Sequence, residues 1–512
     1  MTFRGRVYTV GLLAVMAAAA LCALLPYGAL VAAALAVLVA AVAVRDRLQT
    51  GEPLLRNYPV LGRLHGLLHQ AGKLLGLQQP QAPYSWALVD LVRARARGGS
   101  EYAAFGAQLD APRVSILHAM APAPVEEVPE RLVIGEGCAQ PYSASYLNLS
   151  AMAFGAISDA AIEALCRGAK DGAFFCNTGE AGVPEVFLRA GADLVWQLGT
   201  GYFGCRDRAG RFDEGAFRER AALPAIKMIE LKLSQGAKPA KGGILPAEKA
   251  TPHVAEACQI PVGQACVVPP VHSAFSTPLE LMALVARLRE AAGGKPVGLK
   301  LCVGQVRDLF ALVKAMLATG VTPDFLAVDG AEGGTGAAPV EFQSFVGLRL
   351  HQALPLVHDA LVGAGLRARV RVIASGKITT GADMVAALVH GADLCAAARP
   401  FMIAMGCIQA LICASNECPV GLATQDPRLT RGLVPRAQAA NVTRYHRQTV
   451  HAFRELVAAT GCRSPAELSA AHLAERRASA SSSALLRPGQ LLDDAPPAEY
   501  AEAWRAASAA RF

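Results

Sequence analysis

Apolar residues run without a charge from Val7 to Val44, broken only at Pro26-Tyr27-Gly28. As helices, residues 7–25 and 29–44 reach about 28 Å and 24 Å, just enough to cross a hydrocarbon core. The Pro-Gly break predicts a transmembrane helical hairpin spanning 7–44. Arg4 and Arg6 precede it and Arg45, Arg47 and Arg56 follow, which places both ends on the cytoplasmic side. A cleaved signal peptide shares the basic start, but a second apolar run follows where its polar cleavage region belongs. The hairpin accounts for both runs.

Further on, leucines at 61, 64, 67, 68 and 75 predict an amphipathic helix over 54–75, either packed on the barrel, the favoured reading, or lying on a membrane surface. From 147, short apolar runs alternate with helical patterns. Strands are expected at 147–153, 173–176, 194–198, 228–233, 297–301, 325–329, 370–374 and 394–397. Helices are expected at 159–170, 278–292, 306–318, 347–362 and 381–390. Eight strands predict an α/β fold, a (β/α)8 TIM barrel, with chemistry at the strands' C-terminal ends. The domains are then the hairpin (7–44), an amphipathic linker capping the barrel (45–144), the barrel (145–456) and a C-terminal part (457–512). In that last part the Ala/Ser-rich stretch 476–497 reads as a loose tail before a short helix.

Composition changes this picture little. The 512 residues are 53% hydrophobic, the excess lying in the hairpin, and the net charge of +8 calls for no nucleic acid. Thirteen cysteines, an odd number without disulfide spacing, agree with a cytoplasmic catalytic part anchored at the inner membrane by two helices.

The candidate chemistry is local. Cys407, Cys413 and Cys418 lie within twelve residues, with Pro419 after the last. Thiolates are iron–sulfur ligands, and zinc lacks a nearby fourth ligand here. NTGE, QLGTGYFG, SQGAKP, DGAEGGTG and SGK each fall at the C-terminal end of an expected strand. Ser375, Gly376 and Lys377 after the seventh strand, with Ala397 and Arg399 after the eighth, suit a phosphate. No G-x-G-x-x-G is expected to open a βαβ unit, so electrons should come from a separate donor.

The spacing C-x5-C-x4-C-P-V-G-x-A-T-Q in 406–427 resembles the cluster loop of glutamate synthases. The resemblance covers 145–456, with NTGE (177–180), QGAKP (235–239), DGAEGGTGAAP (329–339) and SGKITTG (375–381) in the same order. It implies an FMN-bearing barrel beside a [3Fe–4S] cluster held by Cys407, Cys413 and Cys418. Met152 and Phe154 would floor the flavin, and Thr178, Gln197 and Lys300 would line its ring. Lys300 matches the family lysine beside flavin and keto acid; its alternative is a barrel salt bridge with Glu230 or Asp329. Two departures stand out. The chain begins Met1-Thr2 without the family's amidotransferase cysteine, and its carboxy-terminal β-helix domain is not expected either. Lys241 replaces a usual acidic residue.

The implied function is FMN-dependent reductive amination of 2-oxoglutarate or a similar 2-oxo acid with ammonia or an amine. Lys300, and secondly Lys241, would hold the substrate carboxylate, and a ferredoxin or reductase subunit would supply electrons. The alternatives are a synthase subunit taking nitrogen from an amidotransferase partner, and a membrane-anchored electron-transfer subunit without its own substrate.

Overall fold

The structure, a computed structural model, describes residues 28–74, 82–99, 114–475 and 486–512. Eight parallel strands close a barrel in the order β5-β6-β7-β8-β1-β2-β3-β4. They are β1 (Leu147–Leu149), β2 (Cys176–Asn177), β3 (Leu194–Leu198), β4 (Ile226–Lys232), β5 (Val297–Leu301), β6 (Phe325–Asp329), β7 (Arg371–Ser375) and β8 (Leu394–Ala397). An outer helix follows each: α1 (Asp159–Gly172), α2 (Glu185–Arg189), α3 (Glu214–Ala221), α4 (Pro278–Ala291), α5 (Val306–Thr319), α6 (Leu350–Gly363), α7 (Gly381–Val389) and α8 (Arg399–Ala404). Covered by helices on the outside and by one another within, β3, β5 and β6 are buried at every position. Register then sets the site: Lys300 lies level with Lys232, and Gln197 with Glu230.

Tertiary contacts moved several expected boundaries. β2 begins at Cys176 rather than 173 because Ala173, at φ +54, caps α1 in the left-handed region. Phe174 and Phe175 then turn into the core. α6 begins at Leu350 rather than 347: Gly347 sits at φ +93, and the Glu332 carboxylate accepts from Leu350 N at 3.1 Å.

The first half of the expected hairpin lies outside the described residues. The second half lies within one helix, Gly28–Leu48, long and apolar enough to cross a membrane from Ala29 to Leu48. The amphipathic segment is two helices, Pro53–Asn57 and Leu61–Leu74, split at Val60, which takes φ +63. Leu64, Leu67 and Leu68 are exposed, so they do not pack on the barrel as expected. The described part of the expected loose tail is attached: Leu491 N donates to Gly363 O at 2.9 Å, and Leu486 and Leu491 are buried. The helix Ala498–Ala506 sets Tyr500 and Trp504 against Phe310 of α5.

Candidate functional site

Charged side chains converge at the C-terminal mouth of the barrel. Lys232 Nζ at the end of β4 lies 2.8 Å from Glu180 Oε2, the lysine buried and the carboxylate half-buried. Lys300 Nζ lies 3.7 Å from Asp329 Oδ2, too long for a hydrogen bond, while Gly236 N donates to that oxygen at 2.9 Å. Lys238 is also buried. Burial alone would raise the Glu180 carboxyl, but Lys232, Lys238 and Lys300 together hold it below the ordinary carboxylate range. Burial pushes Lys238 below the usual lysine range, against the pull of Glu180. Among the described residues, no hydrogen bond reaches its Nζ.

A second layer braces the first. Glu230 Oε1 accepts from Asn177 Nδ2 at 2.8 Å and from Gln197 Nε2 at 2.6 Å. The Thr178 hydroxyl donates to Gly179 O and accepts from Gln197 N. His272 Nε2 meets Lys232 O at 2.8 Å and its Nδ1 meets Tyr202 OH at 2.9 Å. Burial lowers this imidazole's pKa, so the pattern fits a neutral ring donating to the carbonyl and accepting from Tyr202.

The expected phosphate residues stand at and just after the C-terminal ends of the paired strands β7 and β8. Ser375 Oγ lies 3.3 Å from Ser150 Oγ; Gly376 turns at φ +132, Lys377 is exposed and Ala397 is buried. Arg399 Nη2 donates to Glu332 O at 2.7 Å, and its guanidinium lies 5.3 Å from the Tyr84 ring centroid. A Cβ at Gly334 would come within 2.5 Å of Arg399 Nε, so the β6 loop crosses the cation as bare backbone. This cradle of glycine backbone, hydroxyl and guanidinium fits the phosphate of FMN. Met152 is half-buried, whereas Phe154 is fully buried, edge-on to His253, and packs the core. Lys241 stands apart from the buried lysines: it is exposed, 5.4 Å from the Phe342 ring centroid.

Residues 199–204 spell G-x-G-x-x-G after β3. No helix follows until Glu214, and Tyr202 is buried in the turn. The helix N-terminus that receives a pyrophosphate is therefore missing there.

The cysteine loop follows α8. Cys407 and Cys413 are half-buried and Cys418 is buried. Gln409, Leu411 and Asn416 all take the left-handed region, a conformation kept only where surroundings impose it. Gln409 is bonded both ways to the Tyr84 backbone. Lys249 Nζ donates to Cys413 O and to Ala156 O, each at 2.8 Å, tying the loop to the segment after β1. Burial, with Cys418 and Cys413 close by, pushes the Cys407 thiol up to about 12. Three soft donors in mutual electrostatic reach suit iron–sulfur chemistry. Even so, among the described residues no three Cys, His, Asp or Glu side chains are disposed to hold a metal ion.

Sequence reasoning singled out neither Lys232, Lys238, Glu180, His272, Tyr202 nor Lys249. Glu180 and Lys238 stood inside motifs already recognised, and Lys232 is two residues before SQGAKP. Tyr202 stood inside QLGTGYFG, also already recognised, whereas His272 and Lys249 carry no local signal.

Residues 125–463 match the family described as "Conserved region in glutamate synthase". "Glutamate synthase large subunit-like protein YerD" of Bacillus subtilis (strain 168) is 34% identical over 490 residues, covering 86% of this chain and 93% of its own length. "Archaeal-type glutamate synthase [NADPH]" of Thermotoga neapolitana is 32% identical over 313 residues, 61% of this chain and 58% of that protein. "Ferredoxin-dependent glutamate synthase" of Antithamnion sp. is 33% identical over 249 residues, 48% of this chain and 16% of that protein.

Proposed function

The chain belongs to the glutamate synthase family, and on that premise we propose that it reductively aminates 2-oxoglutarate, or a similar 2-oxo acid, with ammonia or an amine. It is an oxidoreductase acting on the CH–NH2 group of donors. The observation that carries the reading is the convergence of Lys232, Lys238 and Lys300 on Glu180 beside a phosphate cradle. Lysines this deeply buried are stable only when an anion answers them. A 2-oxo dicarboxylate brings two negative charges to Lys300 and Lys238, and Lys241 stands at the loop rim as a further cation. His272 and Tyr202 fix the carbonyl of Lys232 and so position its ammonium.

FMN, when bound, supplies the hydride. Ser375, Gly376, Lys377, Ala397 and Arg399 would hold its phosphate, with Met152, Thr178, Gln197 and Lys300 around the ring. Cys407, Cys413 and Cys418 would hold a [3Fe–4S] cluster, which would supply one-electron relay between the flavin and a separate ferredoxin or reductase. Nitrogen arrives as free ammonia or amine, or from an amidotransferase partner. The Gly28–Leu48 helix anchors the chain in the inner membrane with the barrel on the cytoplasmic side.

The test is to photoreduce the purified flavoprotein and add 2-oxoglutarate with ammonium. Rapid reoxidation with appearance of glutamate is expected. A flavin left reduced by every 2-oxo acid and amine tried, beside unchanged iron in Cys407→Ser protein, would overturn both assignments.

A further inference from the structure

We propose that the helix Leu61–Leu74 lies in the interface of the bilayer, its leucine stripe in the lipid, and holds the cysteine loop at the membrane surface. This rests on the membrane reading of the Gly28–Leu48 helix.

The helix has two unlike faces. A Cβ at Gly62 would come within 3.0 Å of Leu55 and 3.2 Å of Leu54 O, so that side packs closely on Pro53–Asn57. Leu64, Leu67, Leu68 and Ala71 fall within about 100° of one another on the opposite side. The three leucines are 40%, 61% and 71% exposed. A stripe of leucines in water marks a surface meant to be covered.

What covers it follows from where the helix is fastened. Asp46, fully buried near the end of the exposed apolar helix, accepts from Val60 N at 2.9 Å and from Arg63 Nε at 3.0 Å. Arg56 Nη1 donates to Gln49 O, closing a rigid corner between the apolar helix and the amphipathic one. The leucine stripe thus continues from the end of a segment whose own leucines and valines are bare along its length. Arg45 and Arg47, both exposed, stand at that junction, where a spanning helix leaves the hydrocarbon and meets anionic headgroups. A lipid surface satisfies stripe, junction and charge together.

The same corner touches the cysteine loop. Asn57 Nδ2 donates to Pro419 O at 2.9 Å and to Leu429 O at 2.7 Å, and Pro53 abuts Gly406. Cys407 and Cys418 are the adjacent residues, so seating the helix in the interface also places their loop beside the bilayer.

The experiment introduces Leu68→Trp, or Gly66→Trp on the opposite face, into the full-length protein. Gly66 is exposed, with nothing within 4 Å of an added Cβ. Each variant is reconstituted into phosphatidylethanolamine–phosphatidylglycerol vesicles containing acyl-brominated lipid. After subtraction of the wild-type tryptophan emission, Leu68→Trp should be blue-shifted and quenched at least twofold, with Gly66→Trp little affected. Equal, weak quenching of both in protein that resists carbonate extraction overturns the interfacial helix but leaves the anchor standing. A blue shift without quenching means that protein covers the stripe, and also overturns it. Release of wild-type protein by carbonate removes the anchor reading and this inference with it.

Discussion

At the N-terminal end of the barrel, Arg131, Arg218, Lys227 and Lys295 line a cavity of about 820 Å³ together with Asp193. At the C-terminal end, Lys232, Lys238 and Lys300 surround Glu180. Both ends are basic, and they differ in what the cations already hold. Lys295 donates to Ala221 O at 2.5 Å and Leu223 O at 3.1 Å, and Arg218 pairs with Glu214 at 3.2 Å; Lys227, 3.7 Å from Asp193, is no closer to its carboxylate than Lys300 but is partly exposed to water. Arg131 bonds Ser143 and the Ala173 carbonyl. These groups stitch strand starts to neighbouring loops. At the mouth, Lys238 has no hydrogen-bond partner among the described residues, and Lys300 stays 3.7 Å from its carboxylate. Uncommitted charge, rather than the size of a hollow, distinguishes the proposed binding end from the lower one.

The largest effect expected at the mouth is that of Lys300→Ala. An oriented cation in a dry site is worth several kcal/mol where negative charge develops, so turnover should fall about 10²–10³-fold with flavin absorbance retained. Normal turnover in this variant, with loss of FMN from Lys377→Ala, would keep the cofactor assignment and remove the catalytic role of Lys300. Lys238→Met should raise KM for the 2-oxo acid about 10- to 100-fold, the worth of a charge-assisted contact. Initial rates against 2-oxo acid concentration check it, and an unchanged KM breaks the contrast between the two ends.

Lys295→Met sharpens the contrast from below. Activity should stay within about twofold, while the deserted carbonyls of Ala221 and Leu223 cost about 1–3 kcal/mol of stability in denaturant melts. Lost activity at full stability would make the lower end a functional site.

The last effect belongs to neither end. His446 on the long helix Pro435–Ala459 is stacked on Phe174, and burial depresses its pKa to about 3. The folded chain keeps this ring neutral where the unfolded chain takes a proton. Stability should therefore fall as pH drops below about 6.5, by about 1.4 kcal/mol per unit for this group, until about pH 3. Melts of wild type and His446→Gln between pH 7.5 and 5 check it: the variant should show the shallower slope, and parallel slopes would refute the assignment.

The sequence by itself determined the alternation that closes as a barrel, the order of the glycine-rich loops at its mouth, the cysteine trio and an apolar helix at the front. Each of these is written in spacing over a few residues, and period and turn chemistry are local properties of a chain. Tertiary structure alone decided that β2 starts after Ala173, that Glu332 sets the start of α6, and that Lys232, Lys238 and Lys300 meet over Glu180. It also decided that Tyr202 braces His272, that Lys249 ties the cysteine loop to Ala156, and that the Leu61–Leu74 stripe faces outward. These depend on groups tens to hundreds of residues apart in the chain, brought together by strand register and barrel closure. No local pattern records such meetings, because burial and charge at those positions are set by whichever distant neighbour the closed barrel delivers.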